Sequence, residues 1–231
     1  MQMILFLIIL VLTALVPTFS LSSPRTITLA ISREYSKCLQ AQPLLTNVIT
    51  ASALCVLSDF ISQSFERSKA KASFESDRIL GKMTSSVPRH SLYRSLCMGV
   101  YGATVYGWLI TYWFKLLNSI VPQENITFLL VLKKVTINQF FMSPILNSLF
   151  FTYVTLTREL KSNLSQKIRS VKMKLGKDLI PTIKRSCVYW GIIQTINFSS
   201  VPTSYQLLYT NSAFVIWTTY IAFVGFQKLD T

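Results

Sequence analysis

Four apolar stretches, residues 44–65, 95–117, 136–156 and 207–226, dominate this chain, and Asp59 and Lys115 are the only ionisable acidic or basic residues within them. Each has about the 20 residues that a helix needs to cross the hydrocarbon core of a bilayer. Composition points the same way: 51% of the 231 residues are hydrophobic, 14% are charged, and the mean hydropathy is +0.43. A soluble domain covers its core with more polar surface. A disordered chain needs lower hydrophobicity, and four cysteines are too few for a disulfide scaffold. The expected fold is all-α: an integral membrane bundle of four transmembrane helices plus an interfacial helix.

The net charge of +14 admits a nucleic-acid binder, but position decides against it. Lys and Arg gather in residues 67–94 and 158–185, between apolar stretches, without an aromatic-interleaved face. With four crossings, both basic segments lie on one side of the membrane, and the 118–135 connection and the tail with Lys228 and Asp230 lie on the other. This is the asymmetry of the positive-inside tendency. Residues 187–201 are apolar but short and end before Pro202, so they are expected to lie at the interface or to re-enter rather than to cross. The charged 158–185 segment is read as a polar loop or a surface helix against anionic headgroups, with Lys167, Arg169, Lys172, Lys174 and Lys177 at helical spacing.

Residues 1–37 are expected to form a leader or targeting segment, 38–226 the membrane domain and 227–231 a short tail. The leader opens with an apolar run, residues 3–15, of signal-peptide length and without a preceding Lys or Arg. Residues 22–37 are rich in Ser, Thr and Arg, as organelle transit peptides are. An uncleaved anchor is the alternative.

Polar residues inside the apolar stretches fall on single helix faces. Ser52, Cys55, Asp59, Ser62 and Gln63 are three or four apart, as are Thr136, Gln139, Ser143 and Asn147. Such faces point inward, and a carboxylate at membrane depth requires partners or water. Ser95, Gly99, Ala103, Gly107 and Thr111 recur every four residues, a smooth face along which another helix approaches closely. Pro144 is expected to bend its helix.

Recognised catalytic and metal-binding patterns are missing from the sequence. His90 is the single histidine, and Cys38, Cys55, Cys97 and Cys187 have no paired spacing, so they are expected to be small buried apolar residues. Neither a phosphate loop nor a dinucleotide fingerprint occurs. The sequence favours a non-enzyme without cofactor or metal.

Several segments, in order, resemble one family. Tyr35, Pro43, Thr46, Asp59 and Gln63 match a Y…P-x-x-T…D-x-x-x-Q signature, and Gly107, Trp113 and Phe114 a G-P-x-x-H-x-W-Y element. Lys134, Gln139 and Pro144 match K-x-x-x-D-Q-x-x-x-x-P. Trp190, Gln194, Asn197, Phe198, Val201 and Pro202 match W-P-x-x-Q-x-x-N-F-x-x-V-P, with Trp217 and Tyr220 following as W-x-x-Y. The chain thus resembles the family of Mpv-seventeen and the twenty-two-kilodalton peroxisomal membrane protein. It departs from the pattern at Trp108, Thr111, Asn138 and Gly191, where the family has Pro, His, Asp and Pro.

The resemblance implies a four-span organelle membrane protein, mitochondrial inner or peroxisomal, with channel-like permeability to small solutes. Asp59, Gln63, Lys134, Asn138, Gln139, Gln194 and Asn197 are the candidate pore or polar-interior residues, and Gly99, Ala103 and Gly107 the packing residues. The expected partners are the lipid bilayer, a small solute and a second copy of the chain, not nucleic acid. The alternative function is a non-conducting scaffold whose basic segments bind partners or anionic lipid. The alternative location is a plastid or endomembrane reached through the leader.

Overall fold

The computed structural model describes residues 34–35, 37–79, 88–121, 127–160, 162–200 and 203–227, so most of the leader and most of the tail lie outside the described residues. Helices make up nearly all of what is described, and no strand occurs there. They run as five rods. The first is α1 (Pro43–Ile79); the second joins α2 (Leu92–Tyr101) to α3 (Ile110–Ile120) through a π-helical segment, Gly102–Leu109. The third joins α4 (Phe128–Ile137) to α5 (Ser143–Arg158) through a π-helical segment, Asn138–Met142. The last two are α6 (Leu164–Ser200) and α7 (Thr203–Phe226).

Local chemistry accounts for the starts and irregularities of these rods. Ser91 and Thr127 hold extended backbone angles and accept from the amides of Arg94 and Leu130, each at 3.3 Å, as N-cap residues do. Pro144 cannot donate to a residue one turn back, and the wide π turn falls immediately before it. The helix thus accommodates the proline by widening. Between Gly102 and Leu109 the same widening changes the register of the small-residue face. Gly99, Gly102 and Gly107 are buried, whereas Ala103 is only half-buried. A β-carbon on Gly107 would lie 2.4 Å from the Val48 α-carbon, and one on Gly102 would lie 2.6 Å from the Ala51 carbonyl oxygen. The expected close packing is therefore present against α1, with Gly102 in the role expected of Ala103.

The sequence reading of residues 158–201 is corrected. The polar segment and the short apolar segment form one helix, α6, of 37 residues, and Pro181 lies inside it without ending it. At 1.5 Å per residue such a helix is about 55 Å long, enough to run the depth of the bundle. It runs antiparallel to α7: the Lys174 ammonium donates to the Val224 carbonyl at 2.8 Å, Arg185 to the Tyr220 hydroxyl at 2.9 Å and the Tyr189 hydroxyl to the Ala213 carbonyl at 2.7 Å. Arg158 reaches the Gln227 carbonyl at 3.0 Å, and Arg94 lies 3.9 Å from the centre of the Phe226 ring. The C-terminal end of α7 therefore sits beside the basic segments and not opposite them. Apart from Gln227, the tail, expected on the opposite side, lies outside the described residues. Lys174 is also not a headgroup-facing residue. It is buried, pairs with Asp178 at 2.8 Å and satisfies carbonyls at the end of α7. Burial pulls its ammonium below the usual lysine range, and the hydrogen bond and charge of Asp178 oppose this.

The bundle is apolar outside and polar within. Val56, Phe60, Leu96, Val100, Phe140 and Ile216 are exposed, while Thr50, Ser58, Asp59, Gln63, Gln139 and Asn147 are buried. Such a surface suits hydrocarbon better than water. Two helical stretches, Pro43–Ser76 and Leu129–Arg158, are long and apolar enough to cross a membrane by length and composition.

Candidate functional site: a polar cavity closed at one end

Every rod contributes to one cavity, and two further layers lie behind it. At one end lies a cavity of about 410 Å³, within the size range of small-molecule sites. From α1 come Asn47, Thr50 and Leu54, and from the second rod Tyr106, Thr111 and Lys115. The third rod supplies Asn138, Gln139, Ser143 and Asn147. Ser186, Trp190 and Gln194 of α6 and Asn211, Phe214 and Trp217 of α7 complete the wall. Lys115 is exposed and marks the rim.

Many of these groups are held by one another. The Asn47 amide donates to the Thr111 hydroxyl at 2.9 Å, and the Thr111 hydroxyl to the Gly107 carbonyl at 2.6 Å. Trp113 donates its indole N–H to the Asn138 oxygen at 2.9 Å. Ser143 and Ser186 share a 3.0 Å hydroxyl contact, and the Asn147 amide donates to the Ser143 carbonyl at 2.7 Å. Tyr35 also lines the cavity; burial pushes its phenol above the ordinary range, and a hydrogen bond with Thr50 opposes this.

A buried hydrophobic layer follows. One turn beyond the lining residues, Cys55 of α1, Met98 and Tyr101 of α2, Phe150 and Phe151 of α5 and Ile221 of α7 form a single cluster. Tyr101 meets Phe150 edge-on at 5.3 Å and donates its hydroxyl to the Leu146 carbonyl at 3.0 Å. Tyr101, Phe150 and Phe151 are fully buried and do not line the cavity; they pack next to its Leu146 and Trp217 end.

Beyond the aromatic layer lies a charged clamp. Asp59 is fully buried and accepts from Arg94 Nε at 2.6 Å, Gln63 Nε2 at 2.7 Å and Ser95 Oγ at 2.8 Å. Gln63 also accepts from the Ser91 amide at 2.7 Å, while Arg94 binds both oxygens of Glu66, at 2.7 and 2.8 Å. The network ties α1 to the start of α2 and meets the hydrogen-bonding needs of a buried carboxylate.

The sequence candidates therefore divide. Asn138, Gln139 and Gln194 meet at the cavity. Asp59 and Gln63 belong to the clamp and do not line the cavity. Lys134 is half-buried on α4 and does not line it either, and the side chain of Asn197 lies outside the described residues. Thr136 is exposed although it shares the periodicity of Gln139, Ser143 and Asn147, because the π turn intervenes. Cys55 and Cys97 are buried as expected, but Cys38 and Cys187 are exposed. Arg94, the partner of Asp59, was not anticipated. The signal was available: in an antiparallel hairpin, a charge near the end of one apolar stretch lies level with a charge at the start of the next.

Comparison with known proteins finds relatives along most of the chain. The Mpv17 / PMP22 family profile matches residues 164–222, which include the α6–α7 wall of the cavity. Protein SYM1 of Gibberella zeae is 28% identical over 195 residues, 84% of this chain and 97% of that protein. PXMP2/4 family protein 4 of Dictyostelium discoideum is 27% identical over 188 residues, 81% of this chain and 89% of its own length. Mitochondrial inner membrane protein Mpv17 of Rattus norvegicus is 24% identical over 199 residues, 86% of this chain and 99% of that protein. No solved structure matches the chain. Residues 164–222 thus resemble the Mpv17 / PMP22 family, and these relatives, at 24–28% identity, are similar over 81–86% of the chain.

Proposed function

We propose that this protein is a gated conduit for small solutes in an organelle membrane, most simply the mitochondrial inner membrane named for its rat relative. The observation that carries this reading is a polar cavity of about 410 Å³ inside a bundle with an apolar exterior, with Lys115 at its rim and the buried cluster of Tyr101, Phe150 and Phe151 behind it. A bilayer protein gains little from burying amides and hydroxyls around empty space unless something polar occupies that space. On this reading the aromatic layer is the gate, and the clamp beyond it keeps α1 and α2 in register.

The four apolar stretches supply four of the crossings. The second half of α6 supplies a fifth rod, its Lys184 and Arg185 reaching toward the headgroups from the start of the uncharged segment. The basic connections then share one membrane face with the C-terminus.

Reconstitution of the full chain into liposomes loaded with solutes of graded size tests the proposal. Efflux should cut off with solute size and depend on the protein. Liposomes as tight as protein-free controls, with the protein inserted and folded, would overturn it. The scaffold alternative draws on the exposed Arg169, Lys172 and Lys177 of α6. It predicts tight liposomes together with binding to anionic vesicles that is lost when these three residues are neutralised.

A further inference from the structure

We propose that the cavity selects small hydroxylated organic anions, solutes with a carboxylate or phosphate group, over cations. The inference rests on reading the cavity as the solute site and names the class of solute. Its basis is the polarity of the wall. Among the described residues no carboxylate lines the cavity, and Lys115 is the only charged residue that does. The carboxylates of Asp59 and Glu66 are committed to Arg94 on the far side of the aromatic layer.

The amides divide the wall into two poles. Asn138 spends its oxygen on the Trp113 indole at 2.9 Å, which leaves its NH2 group to serve a solute. The Gln139 oxygen faces the Cys187 thiol at 3.9 Å, so its NH2 group is likewise the available end. Lys115 brings a positive charge to the rim, its ammonium 5.2 Å from the centre of the exposed Tyr112 ring. Asn47 and Asn147 are reversed: each spends its NH2 group on Thr111 or Ser143 and presents an oxygen. An amide oxygen carries no formal charge and accepts from a solute hydroxyl, and among the described residues the wall offers a cation no carboxylate to pair with. The complementary solute has its anionic group toward Lys115, Asn138 and Gln139 and hydroxyls toward Asn47 and Asn147.

Malate and choline serve as probes of opposite charge. Trp190 and Trp217 line the cavity, so their fluorescence in the detergent-solubilised full chain reads occupancy. Malate should change it saturably and choline should not. Asn138→Asp, which keeps the side-chain shape, and Lys115→Glu, at the exposed rim, should each weaken malate by roughly fivefold or more, as a reversed or added unit charge at this range does. Equal or tighter choline binding, or unchanged malate affinity in both variants, overturns the inference. Parallel efflux measurements separate it from the conduction reading. Malate binding with this charge dependence in tight liposomes would sink conduction and keep the anion site. Efflux with choline as fast as malate would keep conduction and sink the anion site.

Discussion

Arg94 Nε lies 2.6 Å from Asp59 Oδ1, and both side chains sit beyond the aromatic layer from Gln139, although Asp59 and Gln139 are each the most conspicuous polar residue of an apolar stretch. The two polar faces seen in the sequence do not form one path; they serve two layers of the bundle. Asp59 is saturated by Arg94, Gln63 and Ser95, so its role is to hold the start of α2 against α1. Asp59→Asn should therefore cost stability, about 2–4 kcal/mol for weakening a buried ion pair, with Arg94 still held by Glu66. Solute preference per folded molecule should stay as in the wild type. Thermal unfolding in detergent, paired with selectivity in liposomes, checks this: a stable variant with altered selectivity would return Asp59 to the conducting path.

The glycines of the second rod differ in what a methyl group would meet, and this orders their substitutions. At Gly107 and Gly102 the obstacles are the backbone of Val48 at 2.4 Å and of Ala51 at 2.6 Å, which cannot move without separating the helices. At Gly99 the nearest atom is the Val56 Cγ2 methyl at 2.9 Å, the end of a side chain exposed on the bundle surface. Gly107→Ala and Gly102→Ala should each destabilise by about 1–3 kcal/mol, and Gly99→Ala by less. Gly191 and Gly176 on α6 have nothing within 4 Å of such a methyl, so Ala there should stabilise by up to about 1 kcal/mol through helix propensity. Melting temperatures of the five variants test the order, and an undiminished value for Gly107→Ala would mean that α1 and the second rod are not in contact there.

The same comparison shows what the sequence could disclose. The periodicity of Gly99 and Gly107 announced a close helix contact, because spacing along one helix is local information. Gly102 escaped because a π turn alters the spacing, and nothing in the identities of residues 102–109 marks such a turn. Gln139 and Gln194 were recognisable as polar groups at membrane depth. Their meeting around one cavity, with Asp59 excluded, depends on how rods from distant parts of the chain stagger. For α6 the misleading feature was charge: nine basic residues in 158–185 read as a loop or a surface helix, and the helix is present, but Lys174 is drawn inside by the carbonyls at the end of α7.

That end of α7 gives a topological prediction. Lys174, Arg158 and Arg94 all touch residues 224–227, so the C-terminus should face the same compartment as the 80–88 connection. An epitope after Thr231 and another within residues 80–88 should show identical protease sensitivity in sealed organelles or oriented liposomes. Opposite sensitivity would restore the four-crossing arrangement and make residues 187–201 an interfacial segment.

The aromatic layer offers the most direct test of gating. Phe150 is fully buried against Tyr101 and Phe151, and a β-carbon on Gly225 would come within 2.6 Å of its ring, so the ring fills the space that the missing Gly225 side chain leaves. Phe150→Ala removes the bulk of the stop between the cavity and the clamp. It should raise solute efflux several-fold at a cost of about 3–5 kcal/mol in stability. Tyr101→Phe keeps the volume and loses only the hydroxyl bond to the Leu146 carbonyl, a change of about 1 kcal/mol, and should leave the leak at its basal rate. The contrast separates a steric stop from general loosening, since both variants weaken the same cluster. Folded Phe150→Ala protein with wild-type efflux would show that the solute path, if there is one, does not pass between Tyr101 and Phe150.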